Sequence, residues 1–189
     1  MKIRLMLSIL LVVLMSSFKN GNNEVENIEE IPIVEIEEIV VSEPPKKVHE
    51  LQELMDAIGS LESNNRYDVV NRFGFMGKYQ FSPRTLRHLG YEVSREEFLN
   101  SPQLQDSAMV LYLRDNYTSL QHHILVYGYT THNGVYLTPS SILAGAHFAG
   151  ARGMKRFLEN NVGTTDSNGM TIQRYMTRFA DYELNLEDL

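Results

Sequence analysis

Apolar residues at Val48, Leu51, Leu54, Met55, Ile58 and Leu61 recur at three- and four-residue intervals, the period of a helix with one buried face. Beyond them the punctuation is dense. Ser82-Pro83 reads as an N-cap followed by proline at the first helical position, and predicts a short helix that stops at Gly90. Ser94-Arg95-Glu96-Glu97 has the form of a capping box. Ser101-Pro102 opens a longer helix carrying Leu104, Ala108, Leu111 and Leu113 and ending before Gly128. Thr138-Pro139 opens another through Ile142, Leu143, Ala146 and Ala149, and helical segments at 154–158 and 171–182 complete the set. The stretch 65–81 lacks this period and is rich in Asn, Gly and aromatic residues. Short strands and turns are expected there and nowhere else. The predicted domain is mainly α (an α+β arrangement), helical with a small strand/turn region just after Glu62.

The first 47 residues read differently. Lys2 and Arg4 precede an apolar run from Leu5 to Met15 broken only by Ser8, and the small residues Ser16 and Ser17 follow. Residues 1–17 are therefore expected to be an export signal. The run is shorter than the roughly 20 apolar residues of a spanning helix. Phe18-Lys19 follows without an Ala-x-Ala site, so an uncleaved anchor is the alternative to cleavage, and membrane contact is expected only through this segment. Residues 18–47 form an acidic stretch closing on Pro44-Pro45-Lys46-Lys47, expected to be a flexible linker. Its β-branched density at 31–41 leaves a short edge strand as the rival reading. The domain itself is assigned to residues 48–189.

Composition narrows the function classes. A length of 189 residues suits one domain with an appendage, and a hydrophobic content of 43% supports a core. A net charge of −7 argues against nucleic-acid binding. With no cysteine there is no disulfide, thiol nucleophile, thiolate metal site or lipidated N-terminal cysteine. His122-His123 has no i, i+4 ligand partner, and Asp166-Ser167-Asn168-Gly169 lacks the remaining ligands of a calcium loop. The latter suits an Asx-type turn before the last helix. No metal and no cofactor is expected.

The chemistry-bearing residues come in a series: Glu62-Ser63 at a helix end, Gly77-Lys78-Tyr79-Gln80, Ala146-His147-Phe148-Ala149-Gly150, and Tyr175. This series resembles that of the lysozyme-like lytic transglycosylases of the soluble type, over nearly the whole domain. The stretch Gly74-Phe75-Met76-Gly77-Lys78-Tyr79-Gln80-Phe81 is similar to a branch found in phage-tail and cell-wall muramidase-like proteins, as is 166–171 with Tyr175 and Phe179. The resemblance implies a lysozyme-like fold in which Glu62 is the sole catalytic acid. It implies that Gln80 lines a sugar groove and that Tyr175 braces Glu62. Ser63, Tyr79, His147 and Phe148 join Gln80 and Tyr175 as candidate substrate-binding residues. Phe148 stands where the family has Asn, and His147 where it has Tyr. A contact to the sugar N-acetyl group then falls to His147 or a nearby backbone group.

A β-1,4 glycosidic bond breaks when its oxygen is protonated as positive charge builds on the anomeric carbon. Glu62 lies near a helix C-terminus, where the dipole disfavours a carboxylate. Packing against Met76, Tyr79 and Phe148 is expected to favour its protonated form further. Ordinary retaining and inverting glycosidases need a second carboxylate, for which Asp68 and Asp166 are the only candidates. With one acid, the substrate's C6 hydroxyl can act as nucleophile with a large entropic advantage over water. The expected function is an exported peptidoglycan lytic transglycosylase, in the periplasm or cell envelope, acting on glycan strands and leaving 1,6-anhydro-muramic ends. The alternatives are a hydrolytic muramidase and a catalytically silent wall-binding module. A role as an accessory of an envelope or secretion machine, with the linker meeting a partner, is a further expectation.

Overall fold

The computed structural model describes residues 48–49, 51–186 and 189. All belong to one compact unit, Glu43–Leu189. The signal and linker expectations, and the alternative strand at 31–41, lie outside the described residues. The chain is mainly helical with a small amount of strand.

The helices are α1 (Leu51–Ser63), α2 (Pro83–His88), α3 (Arg95–Leu99), α4 (Pro102–Tyr127), α5 (Pro139–Asn160) and α6 (Ile172–Thr177). Four of the six begin at the cap that the sequence suggests, and α6 begins at a cap of the same kind, Thr171. The side chains of Ser82, Ser94, Ser101, Thr138 and Thr171 each accept the backbone N–H three residues on. A cap of this kind contributes about 1 kcal/mol. The reciprocal capping box forms at Thr138 with Ser141, whereas at Ser94 the bond from Glu97 N is the one seen. α6 is shorter than the segment 171–182 predicts, because the chain turns at 178–181 into a short strand.

α5 is the centre of the fold. Every residue from Pro139 to Ala146 is buried, and α5 packs against both α4 and α6. It breaks at Gly150, whose φ of 73° and ψ of 158° are not helical; this separates the two stretches that the sequence suggests. α4 turns one long stripe inward, comprising Gln105, Ala108, Met109, Leu113, Asn116, Leu120, His123 and Ile124. Leu111, expected on that stripe, is exposed. It lies between the inward positions of the 3.6-residue period.

The strands correct the expectation that 65–81 would hold all of them. β1 (Val48–His49) pairs in parallel with β4 (Glu183–Leu184), closing the two ends of the domain on each other. β2 (Thr131–His132) and β3 (Val135–Tyr136) form a hairpin around Asn133-Gly134. Both loop residues have positive φ, the geometry for which Asn-Gly is the favoured pair. Within 65–81 there are only isolated bridges, Val70 to Met76 and Met76 to Phe81.

Candidate functional site

α1 ends because Asn64 and Asn65 both adopt left-handed backbone and return their N–H groups to the carbonyls of Ser60 and Gly59, a common way to satisfy a helix C-terminus. That termination leaves Glu62 at the last turn, on the wall of a cleft of about 820 Å³. Gln80, Tyr112, His147, Phe148 and Tyr175 line the same cleft. The Tyr175 hydroxyl donates to Glu62 Oε1 at 2.7 Å. His147 Nε2 stands 3.8 Å from the same oxygen. Both contacts fall on Oε1, and Oε2 has no protein partner among the described residues. The Glu62 side chain keeps 24% of its exposure.

Burial, reinforced by the Glu62 carboxylate, raises the Tyr175 pKa well above the ordinary phenol value. Tyr175 is therefore a fixed donor. Its ring is clasped by Phe148 at 4.9 Å and Phe179 at 5.1 Å between centroids. His147 is shifted the other way. Burial pushes its pKa below the usual histidine value, against opposing pulls from the Glu62 carboxylate and the backbone of Tyr79. Its ring meets the edges of Phe81 and Tyr112, and Nδ1 is buried without a side-chain partner. At neutral pH the group beside Glu62 is thus a neutral imidazole, not a counter-ion.

Gln80 reaches the cleft from a turn. Its own φ is 52° and that of Gly77 is 73°. Gln80 Nε2 donates to the Gly77 carbonyl at 2.8 Å, so one end of the amide closes the turn. Behind the turn, Gln105 of α4 acts as a clamp. Its Oε1 accepts from Lys78 N at 2.8 Å, and its Nε2 donates to the carbonyls of Phe98 (2.8 Å) and Tyr67 (2.9 Å).

Ser63 and Tyr79, expected to meet substrate, do not line the cleft. Ser63 Oγ donates to the Lys78 carbonyl at 2.8 Å and accepts from Arg66 N at 3.0 Å, tying the end of α1 to the turn. Tyr79 is buried, and its hydroxyl donates to Asp106 at 2.7 Å. Of the three residues expected to enclose Glu62, only Phe148 lines the cleft with it; Met76 and Tyr79 are core. Of the candidate second acids, Asp68 is exposed and pairs with Arg66. Asp166 lines the cleft, but its Oδ1 accepts from Asn168 N and Met170 N, the Asx-type turn that its sequence suggests.

The hub beneath the site is Lys78, which sequence reasoning passed over. Its side chain is 4% exposed, and Nζ lies 2.6 Å from Asp56 and 3.7 Å from Asp106. Nζ also donates to the Tyr67 hydroxyl at 3.1 Å. Tyr67 and Tyr79 both donate to Asp106. Burial pulls the Lys78 pKa down, but its bonds to Asp56 and Tyr67 outweigh that and leave it raised. Gly59 makes the passage possible, since a Cβ there would stand 2.7 Å from Lys78 Cγ. One signal was available: Gln105 falls in register with Ala108, Met109 and Leu113 on the inward stripe of α4, and a polar group on a buried face needs partners.

The chain matches no protein-family model, no curated protein and no solved structure. The site's own geometry therefore carries the functional argument.

Proposed function

We propose that the protein is an exported peptidoglycan lytic transglycosylase of lysozyme-like type, with Glu62 as its acid and then its base. The observation that carries the reading is the anchoring of Glu62 through one oxygen. Tyr175 donates to Oε1 and His147 Nε2 stands 3.8 Å from it as a neutral neighbour, which leaves Oε2 free for a reacting oxygen in a cleft that also holds Gln80 and Phe148. A carboxyl anchored through one oxygen keeps its orientation while the other exchanges a proton.

In this mechanism protonated Glu62 gives its proton to the bridging oxygen between muramic acid and the next glucosamine. The bond from the muramic anomeric carbon to that oxygen breaks, and the glucosamine leaves as an alcohol. The substrate's N-acetyl group stabilises the positive charge. The C6 hydroxyl of the same muramic residue then bonds to the anomeric carbon and returns its proton to Glu62. The product is a 1,6-anhydro end, and the enzyme finishes as it began. No metal or cofactor enters. Phe148 supplies an apolar face and His147 a neutral nitrogen where an amide would otherwise meet the N-acetyl group.

One observation favours a second reading. Asp166 is a second carboxylate lining the cleft, and with water in place of the C6 hydroxyl the protein would be a muramidase. Its Oδ1 already serves two backbone donors, which weakens that reading. Mass spectrometry of digested sacculi separates the two. The proposal expects anhydro ends from the wild type and none from Glu62→Gln. Reducing ends favour the muramidase, and wall cleavage that survives Glu62→Gln removes Glu62 from the chemistry.

A further inference from the structure

Two cations line the cleft and take no part in the chemistry above. Arg72 belongs to the loop 71–75, and Arg174 to α6. In a chain of net charge −7, neither guanidinium meets a carboxylate among the described residues, whereas Lys78 and Arg66 are both paired. Of the two carboxylates of the cleft, Glu62 accepts from Tyr175 and Asp166 from backbone N–H groups, and neither pairs with an arginine among the described residues. Arg72 lies over the Phe73 ring, 4.7 Å from its centroid, a stacking arrangement that orients a guanidinium without consuming its donors. Arg174 directly precedes Tyr175 on α6, the helix whose Tyr175 hydroxyl is bonded to Glu62, and lines the same cleft as the acid.

We infer that Arg72 and Arg174 form an anion-recognition pair for carboxylates carried by the muramic residues of the glycan. The inference rests on the proposed glycan reading and narrows it. A neutral chitin-type chain offers these arginines nothing. Muramic acid bears a lactyl ether whose carboxyl group is either free or joined to a stem peptide with carboxylates of its own. Either source presents the planar acceptor that a guanidinium fits.

The test is binding, measured calorimetrically with the full chain carrying Glu62→Gln so that no turnover intervenes. Three probes are compared: stem-bearing glycan strands, strands stripped to free lactyl carboxylates, and neutral chitin oligosaccharide. Adding Arg72→Gln and Arg174→Gln is expected to weaken binding of the charged strands about tenfold, as two partly exposed charge pairs allow. Chitin binding should stay unchanged. Raising salt should weaken the charged strands in the parent and much less in the double variant. The preference between stem-bearing and stripped strands tells which carboxylate is read. Equal loss on all three probes, no loss on any, or no glycan binding at all overturns the inference. Selective binding by a wild type that yields no anhydro ends sinks the transglycosylase reading and leaves the arginine pair standing. Both side chains are exposed, so an unchanged urea midpoint certifies the fold of the double variant.

Discussion

Gly77→Ala tests whether the turn behind Gln80 is locked by its surroundings or only by its own backbone. Gly77 sits at φ 73°, where an alanine is disfavoured by about 1–2 kcal/mol. That alone would be a modest change. The new Cβ would also overlap Gln105 Oε1 and stand 2.5 Å from Gln105 Cδ. Gln105 is wholly buried and held by three hydrogen bonds. Moving it aside strands the Lys78 N–H or a carbonyl, at about 1–3 kcal/mol for each buried group left unpaired. The sum is about 2–5 kcal/mol, a large part of the roughly 5–15 kcal/mol by which a domain is stable. Gly74→Ala is the control, because Gly74 has φ 83° but nothing within 4 Å of the added carbon. Urea unfolding should give Gly74→Ala a loss of about 1–2 kcal/mol and Gly77→Ala at least twice that, with an unchanged slope for both. Equal midpoints for the two variants would refute the claim that Gln105 locks the turn.

Tyr175→Phe keeps the rings against Phe148 and Phe179 but removes the donor to Glu62. Wall-cleaving kcat should fall about 10- to 100-fold with KM little changed, as for a bond to a charged group worth about 1.5–3 kcal/mol; an unchanged kcat dismisses the brace. Lys78→Met leaves Asp56 and Asp106 without their shared cation, and is expected to cost about 2–4 kcal/mol in thermal or chemical unfolding; a neutral effect would mean that the hub is dispensable. His147 is neutral in the fold, and its pKa lies below that of the unfolded chain. Its contribution is complete above about pH 6.5 and declines as pH falls toward the depressed value, by up to about 1.4 kcal/mol per pH unit. His147→Phe should flatten the loss of stability between pH 6.5 and 5.5, and an identical slope in the variant assigns that loss to another group.

The helices were readable because their signals are local. Ser82, Ser94, Ser101, Thr138 and Thr171 each announce a helix by side-chain chemistry that acts within four residues. The pairing of β1 with β4 was not readable, since two-residue strands more than 130 positions apart carry no periodicity. Asn133-Gly134 is a local hairpin signal, and the β2–β3 turn forms around it. In the candidate site, the residues that gather at the cleft are Glu62, Gln80, His147, Phe148 and Tyr175. Ser63 and Tyr79 are one position away from cleft residues in sequence and face other neighbours in space. Adjacent residues on a tight turn or helix end point in different directions, which a motif read as a string does not convey. Lys78 was hidden for a related reason. A buried lysine is a matter of three-dimensional company, here drawn from α1, the loop after it and α4.

The two loops that border the cleft are built alike. Asn71 Oδ1 accepts from the N–H groups two and four residues ahead, at Phe73 and Phe75, and Asp166 Oδ1 does the same at Asn168 and Met170. In each loop that side chain and the two backbone bonds made by the same residue set the shape, and the tips between contribute little to holding it. Residues 72, 73 and 167 are then interchangeable parts on a standard fitting. A lineage, or a library with Asn71 and Asp166 held constant, can redraw which wall chemistry the cleft prefers without renegotiating the fold that carries it.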